Sequence, residues 1–243
     1  MKKIIFFLIL ISTSLSAEPI FHKKRYPNEN GPFPAVIILH TSGGYNKSVY
    51  YYGHGDYFIN EGFAIYVPDF FSRYYITPQT RGRTWGKYLN NIENELSEIV
   101  TLMKQDPKID EKNIFAVGFS NGGFWASYLA GTGHVKAASS HYGVWGFRNK
   151  PKANPLRYIN KDSSPLLILH PKKDKVQKMK WVEPRVKKAL QVNKKNEAHF
   201  YEKGGHNWSS KSYKNGIGYN REVYEDAMLR TINFFKKHYV NQN

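Results

Sequence analysis

Cysteine is missing from all 243 residues. That excludes disulfides, thiolate chemistry and a cysteine-borne lipid anchor. Acidic residues are scarce, with 19 Asp and Glu against 36 Lys and Arg and a formal charge of +17. Long apolar runs are also lacking: Ile4–Ile11 is too short to span a bilayer as a stable anchor. A basic excess favours anionic surfaces, acidic substrates or nucleic acid through long-range attraction. Yet the lysines are scattered, and the densest patch (Lys172, Lys173, Lys175, Lys178, Lys180) surrounds a loop. No zinc-finger spacing, RNP-like string or basic base-reading helix is present. No nucleic-acid partner is expected, and most of the charge reads as a solvated face.

What is present suits one α/β domain. Apolar residues make up 41% and aromatics 16%, enough for a large core. The first segment stands apart from that core. Lys2 and Lys3 precede Ile4–Ile11, then Ser12, Thr13, Ser14, Leu15, Ser16 and Ala17 supply small residues before Glu18 and Pro19. This is the charged, apolar, cleavable order of a secretory signal peptide. Residues 1–17 are read as that signal and 18–243 as a single domain, exported to the periplasm or secreted, with no membrane anchor left after removal.

Strand-like and helix-like segments alternate from residue 35 onward. Ala35–His40, Phe63–Pro68, Ile114–Phe119, Val135–Tyr142, Pro165–His170 and Glu197–Tyr201 read as strands, several of them continuous apolar runs buried on both faces. Trp85, Tyr88, Leu89, Ile92, Leu96, Ile99, Val100 and Met103 recur at helical spacing, with Asn90, Glu93, Glu95 and Glu98 mainly opposite. A last amphipathic helix spans about Arg221 to Tyr239. The alternation predicts a mostly parallel sheet covered by helices on both faces.

Gly118-Phe119-Ser120-Asn121-Gly122 is the central chemical signal. It ends a buried strand-like run and opens a helical segment, the context of a nucleophile elbow. Glycines at 118 and 122 remove clashes in so sharp a turn, and Gly123 permits close helix packing. A serine nucleophile needs a base, and in this arrangement the acid and then the histidine follow it along the chain. Asp174 is the carboxylate in the loop after the fifth strand; Asp162 precedes that strand and Glu183 lies in a helical segment. Of His199, His206 and His238, only His206 sits in a glycine-rich loop between the last strand and the final helix. The first oxyanion N–H is expected from Asn121. The second is expected from Ser42, with Thr41 as the alternative, in the loop His40-Thr41-Ser42-Gly43-Gly44. His40 and His170 read as structural, and Asp69 as a turn-former.

At this point Leu39–Asn46, Val67–Phe71, Val117–Gly123, Leu169–Asp174 and Tyr201–His206 resemble the dienelactone hydrolase family, in register and in order. The resemblance implies an α/β-hydrolase fold, a triad of Ser120, Asp174 and His206, and action on small-molecule esters or lactones without cofactor or metal. Two positions depart from the family's pattern. Ser120 stands where the dienelactone hydrolases proper use cysteine, and Thr41 where they carry glutamate. The expectation is therefore a serine esterase on that scaffold. A peptidase or acyltransferase with the same triad, or a non-catalytic binding protein, are the competing readings. Two long connections, Phe70–Thr84 and Gly143–Asn160, are expected over the site. Tyr74, Arg81, Arg83 and Trp145 are their substrate-binding candidates, with Tyr75 and Arg157 beside them.

Overall fold

The computed structural model describes residues 22–45, 54–209 and 218–240. The expected signal segment, residues 1–17, lies outside the described residues. The strands are β1 (His22–Arg25), β2 (Phe33–Leu39), β3 (Ala64–Pro68), β4 (Ile109–Phe119), β5 (Ala138–His141), β6 (Leu166–Pro171) and β7 (Glu197–Tyr201). The helices are α1 (His54–Ile59), α2 (Leu89–Gln105), α3 (Asn121–Gly131), α4 (Met179–Val192) and α5 (Arg221–Lys237), joined by several short 3-10 turns.

The strands form one sheet in the order β1-β3-β2-β4-β5-β6-β7. All neighbours run parallel except β1, which pairs antiparallel with β3. β2 and β4 are central and almost wholly buried, as their Val- and Ile-rich sequences require of strands covered on both faces. Alternation along β2 sends Ala35, Ile37 and Leu39 to one core, with Ile92, Leu96 and Trp125 of α2 and α3. Val36 and Ile38 go to the other, with Phe58 of α1 and Met228, Ile232 and Phe235 of α5. Phe115 stacks on Phe235 with centroids 4.8 Å apart, tying the sheet to α5. Truncating a buried ring of this kind typically costs about 3–5 kcal/mol.

The six sequence-read strands are all present, Glu197–Tyr201 with both ends as read and the others with one or both ends shifted; the weakest, Val135–Tyr142, contracts to Ala138–His141. β1 went unread because His22-Lys23-Lys24-Arg25 has no apolar alternation. It needs only backbone pairing with β3, and its charges suit an edge that must not recruit other chains. The apolar stripe before Leu89 is not helix: Trp85 ends a 3-10 turn and Tyr88 caps α2. Glu95 is the other correction, since it lies buried rather than on the outer face. Its Oε1 accepts from Arg73 at 2.6 Å and from the Tyr74 hydroxyl at 2.8 Å, which is how a carboxylate tolerates that position. No helix among the described residues is long and apolar enough to cross a membrane.

The parallel register brings the carboxyl ends of β2, β4, β5, β6 and β7 to one edge. Leu39 lies beside Gly118, Phe119 beside His141, His141 beside Leu169, and Pro171 beside Tyr201. Three histidines, His40, His141 and His170, sit fully buried at these strand ends. Desolvation is the main cause that lowers each imidazole from its ordinary range, to about 3 for His141 and about 4 for His170. An unfolded imidazole takes up a proton below about pH 6.5, whereas these resist it until far lower pH. Their contribution is therefore complete above pH 6.5 and is lost as pH falls toward the folded values. Urea unfolding should show stability dropping between pH 6.5 and 4.5, by up to about 1.4 kcal/mol per pH unit for each histidine. A midpoint unchanged across that range would contradict their burial as neutral groups.

Candidate active site

β4 ends at Phe119 and α3 begins at Asn121, so Ser120 stands alone at the turn. Its backbone has φ 54° and ψ −108°, a conformation that costs a non-glycine residue about 1–3 kcal/mol. Its N–H donates to the His141 carbonyl at 3.0 Å. Its carbonyl accepts the N–H of Gly123 at 3.0 Å and of Val144 at 3.1 Å. The turn is so tight that a Cβ on Gly118 would lie 1.9 Å from the Gly122 carbonyl oxygen. One on Gly122 would lie 2.1 Å from the Leu39 carbonyl oxygen, and one on Gly123 2.6 Å from the Gly143 Cα. These glycines let α3 start directly against the ends of β2 and β5.

Ser120 Oγ lies 2.8 Å from His206 Nε2, and His206 Nδ1 lies 2.8 Å from Asp174 Oδ2. A proton on Nδ1, donated to the carboxylate, leaves the Nε2 lone pair facing the serine hydroxyl. The Asp174 side chain is fully buried. Its Oδ1 accepts the N–H groups of Val176 at 2.7 Å and Gln177 at 2.8 Å. Burial alone would raise this carboxyl. The hydrogen bond and electrostatic attraction of His206, with the Gln177 N–H, outweigh it and hold the group below the ordinary carboxylate range.

Two supporting residues were not legible beforehand. Gln177, buried, donates its N–H to Asp174, while its carbonyl accepts from His170 Nε2 at 2.9 Å and its Oε1 accepts the Trp145 N–H at 2.9 Å. Its only sequence signal is a place three residues beyond an aspartate in a turn. Tyr142, just past β5, sets its ring edge-on to His206 with centroids 5.1 Å apart. Its hydroxyl bonds Asn207 Oδ1 at 3.2 Å and Ser209 Oγ at 2.7 Å, which ties down the histidine loop.

The Asn121 side chain is buried, accepting from Trp125 Nε1 at 3.1 Å and donating to Thr84 at 3.3 Å. Its N–H is the first of α3 and has no intrahelical acceptor. In the facing loop, Thr41 oxygens accept the N–H groups of Gly43 and Gly44 at 3.1 Å each, leaving the Ser42 N–H outside the turn's own bonds. His40 donates Nδ1–H to the Thr41 carbonyl at 2.8 Å and stacks on Phe70. Asp69 accepts the N–H groups of Phe71 and Ser72 at 3.1 Å, the bonding of a turn-former.

Of the substrate-binding candidates, Trp145 joins the site through Gln177 but is itself buried. Tyr74 stacks on Tyr88 and gives its hydroxyl to Glu95, while Tyr75 stands in solvent. Arg81 donates to the Pro78 carbonyl; Arg83 and Arg157 are exposed, the latter lying over Tyr158. A hollow of about 380 Å³ opens beside His206, lined by Lys173, Lys175, Val176, Gly204, Gly205 and Tyr219 among others. No cluster of three or more histidine and carboxylate side chains among the described residues is arranged to hold a metal ion.

A dienelactone hydrolase-like promiscuous phosphotriesterase from metagenomic libraries superimposes with a TM-score of 0.71 at 15% identity, covering 90% of this chain and 99% of its own. An esterase of Thermogutta terrifontis with propionate bound gives 0.68 at 14% identity, covering 91% of each chain. A sugar hydrolase from Lactococcus lactis gives 0.67 at 17%, covering 91% of this chain and 96% of its own. At such identities the likeness is one of fold, the α/β-hydrolase fold. No curated protein matches the chain in sequence. The model of the dienelactone hydrolase family, however, matches residues 24–239, nearly the whole chain. The chain belongs to the dienelactone hydrolase family and is a hydrolase.

Proposed function

We propose that this protein is an exported serine esterase that cleaves carboxylic esters or lactones. The observation that carries the reading is the unbroken relay of 2.8 Å contacts from Asp174 through His206 to Ser120. Ser120 Oγ attacks the acyl carbon while His206 Nε2 takes its proton, and Asp174 orients and stabilises the resulting imidazolium. The N–H groups of Asn121 and Ser42 receive the developing oxyanion; one such donor is typically worth about 2.7–4 kcal/mol. The C–O bond then breaks and His206 returns the proton to the leaving alkoxide. Water attacks the acyl-enzyme with His206 again as base, releasing the acid and restoring Ser120. The esterase neighbour with propionate bound supports the choice of a carboxylic acyl group.

Ser120→Ala should leave the unfolding transition in place and lower turnover of an activated acetate ester by about a thousandfold or more. A fluorophosphonate should label the wild type at Ser120 and not the variant. Substantial turnover by the variant, or labelling elsewhere, would remove Ser120 from the nucleophile role. The export reading rests on the order of residues 1–17. Mass spectrometry of protein recovered outside the cytoplasm should find a chain starting near Glu18, and an intact Met1 there would count against cleavage.

A further inference from the structure

A second hollow, of about 240 Å³, adjoins the one beside His206, and Val176 lines both. Its rim carries Arg148, Lys178, Lys180 and Arg185. Among the described residues none of the four is in an ion pair, although Lys172, Lys187 and Lys203 nearby each have a carboxylate partner. The first turn of α4, which borders the hollow, holds no acidic residue. Four cations thus converge on a concavity without internal counter-charge.

The floor is apolar. Trp181 is 49% exposed and Val176 46%, two of the few large apolar side chains left to solvent. Lys180 Nζ sits 5.2 Å from the Trp181 ring centroid, so the indole and a cation present one composite surface. Arg185 is held by a 2.6 Å bond to the Trp181 carbonyl, and its guanidinium lies against Gly146. A flat aromatic face beside fixed positive charge matches a ring that is apolar on its face and anionic at its edge. A carboxylated sugar has that form. A membrane surface would favour projecting side chains, whereas this patch is recessed.

We infer that the hollow around Trp181 is a subsite for an acidic sugar unit and that the substrate is an ester carried on an acidic oligosaccharide, running past Val176 to Ser120. The inference rests on the esterase reading above and specifies its substrate class. Gln177 lines the hollow and also bonds Asp174, so the subsite is built on the loop that holds the acid.

The test compares kcat/KM for an acetylated oligogalacturonide, an acetylated neutral xylo-oligosaccharide and p-nitrophenyl acetate. The acidic ester should be favoured over the neutral one by about tenfold or more at low ionic strength, and the gap should close near about 0.5 M salt. Lys180→Glu and Trp181→Ala should each reduce that preference at least severalfold while leaving p-nitrophenyl acetate turnover within about twofold. In parallel, Ser120→Ala is titrated with unesterified oligogalacturonide, following tryptophan fluorescence, and its Lys180→Glu double variant should bind about tenfold more weakly. Equal rates on both saccharide esters, or a preference untouched by both variants, would overturn the proposal. So would retention on phosphatidylglycerol vesicles that depends on Lys180 when the oligosaccharide does not bind. Failure to cleave p-nitrophenyl acetate would refute the esterase reading instead, and the fluorescence titration would still decide the subsite.

Discussion

Everything at the site depends on one strained residue held at the end of a central strand. Ser120 occupies positive φ with a side chain, a conformation that local sequence does not favour. It persists because the surroundings fix it from three directions: the His141 carbonyl on one side, and the Gly123 and Val144 N–H groups on its own carbonyl. Two of those partners belong to β5 and the segment just after it. The elbow is thus a property of the sheet as well as of the G-x-S-x-G string. The contact of Gly122 with the Leu39 and His40 carbonyls adds a third strand to the same knot. It also sets the α3 N-terminus against the loop that carries Ser42.

The electrostatics follow from how that edge excludes water. A buried carboxylate is tolerated at Asp174 because both oxygens are occupied, Oδ1 by two backbone N–H groups and Oδ2 by His206. His170 lies 3.5 Å from Oδ2, yet it is fixed by the Gln177 carbonyl and burial keeps it neutral. Were His170 charged, it would compete with His206 for the same carboxylate oxygen. Neutrality at His40, His141 and His170 leaves His206, the least buried of the four, as the imidazole at this edge with a route to solvent.

Much of this was legible because it depends on local pattern. Buried β-branched runs mark parallel strands whatever their partners, and the serine's place between a strand and a helix marks the elbow. Asp174 and His206 could be picked out because parallel topology puts every strand-end loop on one edge. What escaped depends on partners distant in the chain. β1 exists through pairing with β3, Glu95 is buried because Arg73 and Tyr74 reach it, and Gln177 matters through His170 and Trp145. The loop arginines illustrate the same limit. Arg81 and Arg83 looked poised for a substrate, but Arg81 folds back onto Pro78 and Arg83 faces solvent.

Charge placement separates the two helices that flank the acid and histidine loops. α5 follows the dipole rule: Asn220 caps it by accepting the Val223 N–H at 3.0 Å, Glu222 lies in its first turn, and Lys236 and Lys237 lie in its last. α4 breaks that rule at its start, where Lys178 is the cap residue without a side-chain bond and Lys180 follows in the first turn. Each cation there opposes the helix dipole by about 0.3–1 kcal/mol at an exposed site. The contrast with α5 shows that the favourable arrangement forms from ordinary residues in this same chain. The departure falls four and six residues beyond Asp174, directly after Val176 and Gln177, whose N–H groups hold the acid in place. Local costs of this kind concentrate where function demands them. If the hollow takes an acidic sugar as inferred above, Lys178 and Lys180 are the members of the basic run that face the anion, and the rest of the run remains the solvated face read from sequence.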